Sequence, residues 1–97
     1  MILASDDNGN KLQIFAPDPT KTTTLTLTGG TATWTPAART KAFMFYPSAS
    51  VVMKLNSNTT GLTFDAQTLH GAFGLNAKTT SITFTGTADS TVVIEAD

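Results

Sequence analysis

Thr24-Leu25-Thr26-Leu27-Thr28-Gly29-Gly30-Thr31-Ala32-Thr33-Trp34-Thr35 alternates apolar and polar residues on both sides of a Gly-Gly pair. A period of two is the mark of a half-buried strand, whereas a helix repeats every 3.6 residues. Gly-Gly supplies the positive φ that a two-residue hairpin turn demands. The stretch therefore predicts a hairpin in which Leu27 faces Ala32 and Leu25 faces Trp34. Thr24, Thr26, Thr28, Thr31, Thr33 and Thr35 cover the other side. One face is core and the other is wet, as an antiparallel sheet allows.

Three more strand pairs are predicted outward from this one. Asn8-Gly9 marks a hairpin that sets Asp6 opposite Lys11 and Leu3 opposite Ile14. Pro17 and Pro19 then break the chain. A third pair joins Lys41–Tyr46 to Val51–Leu55 around residues 47–50, and a fourth joins Ser81–Thr85 to Thr91–Ala96 around residues 86–90. In the fourth, Ile82 and Phe84 face one way, as do Val92 and Ile94. Residues 61–78 read as irregular. Eight short strands, spaced about ten residues apart, predict an antiparallel β-sandwich or jelly roll. It is read as one all-β domain over residues 1–97. Leu25, Leu27, Trp34, Ile82, Phe84, Val92 and Ile94 point inward. No fixed repeat survives, which argues against a solenoid.

Composition agrees with a small β domain. Only 13% of the residues are charged and the net charge is −1, so bulk charge does not hold this protein on nucleic acid or a membrane. Twenty of the 97 residues are threonine, which suits half-exposed strands. No signal sequence and no apolar run of membrane-spanning length is visible. With Met1 as the start, the chain reads as a whole gene product, soluble and made in a cytoplasm. Charge is sorted along it: residues 19–64 hold Lys21, Arg39, Lys41 and Lys54 and no acid, while all seven acids lie in the flanks. Chance accounts for that sorting, or it arranges a basic and an acidic patch for docking.

The third pair carries the candidate site. With Tyr46 opposite Val51, one face holds Ala42, Met44, Tyr46, Val51, Met53 and Leu55, and the other holds Lys41, Phe43, Phe45, Val52 and Lys54. Both faces are apolar, which a half-exposed hairpin does not show. Three readings stand. The strands are covered on both sides within one chain; or Phe43, Phe45 and Val52, rimmed by Arg39, Lys41 and Lys54, meet another chain; or the phenylalanines stack on single-stranded nucleic acid. Lys41-Ala42-Phe43-Met44-Phe45 resembles the basic-x-Phe-x-Phe strand of cold-shock and RNA-recognition domains. Ala42 and Met44 stand where those families carry glycine.

Enzyme chemistry finds little footing. With one histidine, His70, and no cysteine, the usual zinc ligand sets cannot form in one chain. No Gly-x-Ser-x-Gly elbow exists for a Ser-His-Asp triad. His70 reads as a loop or core histidine. Asp6, Asn8 and Asn10 alternate like calcium ligands, but Gly9 is misplaced and no distal Glu follows. The Thr-x-Thr ladders lack the stacked repeat of ice-binding solenoids. No catalytic, metal or cofactor site is expected.

In its Thr/Ala/Gly-rich short strands, and in the closing segment Thr80-Ser81-Ile82-Thr83-Phe84-Thr85-Gly86-Thr87-Ala88-Asp89-Ser90-Thr91-Val92-Val93-Ile94, the chain resembles small all-β virion proteins of tailed bacteriophages. Capsid decoration or cement proteins are the nearest kind. That resemblance implies a non-enzymatic role in the virion. The protein would bind the major capsid protein or another virion protein, together with its own copies, often as a trimer, after synthesis in the host cytoplasm. The other readings are a carbohydrate- or surface-binding module of a phage tail and a single-stranded nucleic-acid-binding domain.

Overall fold

The computed structural model describes residues 16–97 in full and, before them, the backbone of two strands, β1 (Ile2–Ser5) and β2 (Lys11–Ile14). These two pair antiparallel as a sheet of their own. Ile14 lies opposite Ile2 and Lys11 opposite Ser5. The hairpin is thus where Asn8-Gly9 points, with its register one residue away from the expected one. Asp6, Asn8 and Asn10, with the turn between the strands, lie outside the described residues.

Eight further strands follow: β3 (Thr23–Thr26), β4 (Thr31–Trp34), β5 (Ala42–Pro47), β6 (Val51–Leu55), β7 (Leu62–Phe64), β8 (His70–Gly74), β9 (Ile82–Gly86) and β10 (Thr91–Ala96). They form two four-stranded antiparallel sheets, ordered β3-β10-β5-β8 and β4-β9-β6-β7. The first strand pairs with the last, and successive strands pair inward from there: β3 with β10, β4 with β9, β5 with β8, β6 with β7. A ribbon of four such pairs rolled onto itself is a jelly roll. The predicted all-β sandwich is present. Two of its eight strands, β7 and β8, come from the stretch read as irregular, and β1 and β2 belong to neither large sheet.

None of the three expected hairpins after residue 20 forms. β3 and β4 lie in different sheets, as do β5 and β6, and β9 and β10. Each predicted turn is instead an arch that carries the chain from one sheet to the other. Gly29 and Gly30 do adopt positive φ (66° and 89°), in a tight 3₁₀ turn closed by the Gly30 amide on the Leu27 carbonyl at 2.8 Å. A Cβ on Gly30 would lie 2.9 Å from the Gly86 carbonyl oxygen, so the arch also packs too closely there for a side chain.

In the first and fourth predicted pairs each strand keeps its own alternation, so the core residues predicted there survive. Leu27, Trp34, Ile82, Phe84, Val92 and Ile94 are buried and Leu25 packs against them. The threonines also keep to outer faces, on two sheets rather than one. Thr24 and Thr26 lie on the outer face of β3. On the opposite sheet, the register aligns Thr31, Thr85, Val52 and Thr63 in one row and Thr33, Thr83 and Lys54 in the next. Thr33 and Thr83 hydroxyls meet at 3.0 Å.

Strand β5 is turned over relative to the expected face. Phe43, Phe45 and Pro47 are buried, while Ala42 and Met44 are half-buried and Tyr46 is exposed. Phe45 stands at the centre of the core, with ring centroids 5.0 Å from Phe64 and 5.0 Å from Phe84. Phe43 packs on Trp34 at 5.2 Å.

Candidate functional site

The two ends of the sandwich differ. At one, the short arches are tied together by backbone: Leu27 and Asp89 amides donate to the Ser90 and Leu27 carbonyls at 2.9 Å each, and the Thr91 amide donates to Ser48 Oγ at 2.8 Å. At the other end emerge the three longer connections, residues 35–41, 56–61 and 75–81. Asn56 joins two of them. Its Oδ1 accepts from the Thr80 amide at 2.8 Å, the Thr80 hydroxyl at 3.2 Å and the Ser81 amide at 3.3 Å, and its Nδ2 donates to the Lys78 carbonyl at 3.1 Å. Asn56 sits at φ 53°, a left-handed conformation that asparagine tolerates better than most residues.

Between those connections runs a groove made of adjoining hollows. Its apolar part is a slot of about 220 Å³ where the edge strands β7 and β8 part, lined by Phe43, Met53, Leu55, Leu62, Phe73 and Leu75. Leu62 is 65% exposed at its lip. Gly61 lets the preceding loop lie against β6: a Cβ there would sit 2.5 Å from the Met53 carbonyl oxygen and 2.7 Å from Val52 Cγ1. At Leu75 and Thr79 the slot opens into a hollow of about 420 Å³ that Arg39 and Thr40 border, and this in turn adjoins a smaller hollow beside Lys21 and Ala96. Among the described residues, Arg39 and Lys21 are the charged ones lining these hollows, and no acidic side chain does. Thr40 Oγ1 is buried and has no hydrogen-bond partner among the described residues.

The expected site is not assembled as one surface. Phe43 and Phe45 are core residues, at 2% and 0% exposure, because β5 belongs to an arch whose inner face meets the other sheet. Buried in this way, Phe45 meets neither a partner chain nor a base, and Phe43 contributes only to the lining of the slot. Val52 and Lys54 lie on the outer face of the β4-β9-β6-β7 sheet, as expected for β6, whereas Arg39 and Lys41 lie in the connection before β5. The basic middle of the chain is also interrupted in space. Asp97 Oδ1 accepts from the Lys41 and Ala42 amides at 2.8 and 3.1 Å, and Lys21 Nζ donates to the Asp97 backbone oxygen at 2.8 Å. Partial burial disfavours the Asp97 carboxylate, yet the two backbone amides outweigh it and hold its pKa below the ordinary 3.8.

The slot-lining residues Leu62, Phe73 and Leu75 fall in the stretch read as irregular, where short strands and three glycines hide the alternation. His70, on β8, packs against Phe64 and Phe45 and bonds the Asp65 carbonyl through Nε2 at 2.9 Å. Among the described residues, no three His, Cys, Asp or Glu side chains gather as metal ligands, and no helix is long and apolar enough to cross a membrane. No protein-family model matches the chain, and comparison with curated proteins and with solved structures finds no match to it.

Proposed function

We propose that this chain is a non-enzymatic structural protein of a virion, which decorates or cements a phage capsid by binding coat subunits and its own copies. The observation that carries the reading is the slot. Small-molecule sites commonly enclose roughly 300–1,000 Å³ around a few convergent polar groups. This slot is smaller, is lined by no titratable group, and opens at a lip where a leucine is left 65% exposed. Its size and chemistry suit apolar side chains of another protein. The jelly roll hosts viral capsid proteins, lectins and cupins alike, so the fold itself does not choose among them. The virion form of the reading rests on the character of the strands and on the closing segment Thr80–Ile94.

The test is to purify particles from cells that make this protein, quantify it by mass spectrometry and locate it in a low-resolution map. The reading expects a fixed ratio to the coat subunit and density on the outer shell. Particles that lack the protein while the cells contain it would overturn it.

A further inference from the structure

The Thr40 amide donates to the Ala37 carbonyl at 3.1 Å and closes a turn over residues 37–40. Arg39 is the third residue of that turn, with φ at 70°. A turn whose third residue alone takes positive φ is of type II, and that position favours glycine. Among the described residues, Asn56, Gln67 and Asp89 also have positive φ without being glycine. Asparagine and aspartate tolerate it; arginine and glutamine are strained by it. Gln67 borders none of the hollows at the loop end, so Arg39 is the strained residue there. Arg39 is exposed on the hollow of about 420 Å³, and among the described residues no acidic side chain lines that hollow. Strain of this kind gathers where a side chain must be held out for a ligand or partner.

We infer that Arg39 is held in this turn to receive a carboxylate of the coat subunit whose apolar side chains enter the slot. The inference rests on the proposed capsid function and names the chemistry of its partner. Charge selects the group. A guanidinium with no acid in its own hollow pairs best with a carboxylate, which its planar fork meets through two parallel hydrogen bonds. Continuity selects the carrier. The hollow opens into the slot at Leu75 and Thr79, so a carboxylate at Arg39 and an apolar side chain in the slot fit one protein surface. A small anion at Arg39 would leave the slot unfilled. Arginine is also among the residues that dominate the energy of protein interfaces. The turn thus gives up fold stability for binding, so stability and binding respond differently when Arg39 is replaced.

The test compares wild type with Arg39→Gly, Gln67→Gly and Leu62→Asp in melting temperature and in occupancy on purified coat shells at low and high salt. Glycine relieves the strain at either turn position. Both glycine variants are therefore expected to melt no lower than wild type. Arg39→Gly is expected to bind shells at least tenfold more weakly at low salt. It should also lose much of the wild type's sensitivity to salt. Gln67→Gly is expected to bind like wild type. The inference is overturned if Arg39→Gly binds like wild type, or if salt weakens both proteins alike. It is overturned too if Arg39→Gly melts below wild type while Gln67→Gly does not, because Arg39 then serves its own fold. Leu62→Asp separates the two claims. If it loses binding while Arg39→Gly keeps it, the capsid reading stands and the carboxylate at Arg39 does not. A wild type that binds no shell overturns both.

Discussion

Phe45 of one sheet meets Phe84 of the other across the core, their ring centroids 5.0 Å apart and their planes at 61°. Edge-on aromatic pairs of this kind add to the large area that each ring buries. Both side chains are fully buried. Phe45→Ala should therefore cost about 3–5 kcal/mol, a large share of the 5–15 kcal/mol typical of a small domain. Urea denaturation followed by tryptophan fluorescence checks it. A Phe45→Ala protein with an unchanged midpoint would mean that β5 faces the other way.

Asn56 carries a second prediction. Removing its side chain takes away four hydrogen bonds between the 56–61 and 75–81 connections. Asn56→Gly should lose about 1–2 kcal/mol, since exposed hydrogen bonds contribute modestly. Asn56→Ala should lose about 1 kcal/mol more, because alanine at φ 53° is strained where glycine is not. Equal midpoints for the Gly and Ala variants would remove the strain from the account.

Asp97 predicts a pH dependence. Its pKa is depressed in the folded protein, so protonation costs more there than in the unfolded chain. The stability it contributes is present above the ordinary value of 3.8 and is lost as pH falls through the lower folded value. Asp97→Asn keeps an oxygen for the Lys41 and Ala42 amides but cannot titrate. Its unfolding midpoint should vary less between pH 5 and pH 2 than that of wild type, a window of about the width over which such a carboxylate acts. Identical acid limbs for the two proteins would contradict the assignment.

The sequence makes the inward residues legible and hides their lateral neighbours. Alternation puts Leu27, Trp34, Phe84 and Ile94 inward whether successive strands lie side by side or stack as an arch, because the period of two belongs to each strand by itself. It carries no information on whether β4 hydrogen-bonds β3 or β9. The error on β5 follows from that gap. A hairpin with Tyr46 opposite Val51 forces the two onto one face, and so turns Phe43 and Phe45 outward. An arch through Ser48-Ala49-Ser50 imposes no such parity, and the phenylalanines take the interior their size favours. The slot was illegible for a different reason. β7 is three residues long, too short to show a period, and the slot exists only because two edge strands from opposite sheets part there.

The central claim is that the loop end of the sandwich, with the apolar slot at its edge, is where other protein subunits bind. Leu62 tests it most directly, because it lines the slot yet is 65% exposed, so changing it leaves the core intact. The measurement is the occupancy of Leu62→Asp on purified coat shells, compared with wild type by quantitative mass spectrometry, after confirming equal melting temperatures. An aspartate there sets an unpaired charge against the apolar contact, which commonly costs about 2 kcal/mol or more, so occupancy at subsaturating protein should fall at least tenfold. Wild-type occupancy by a folded Leu62→Asp protein would contradict the account.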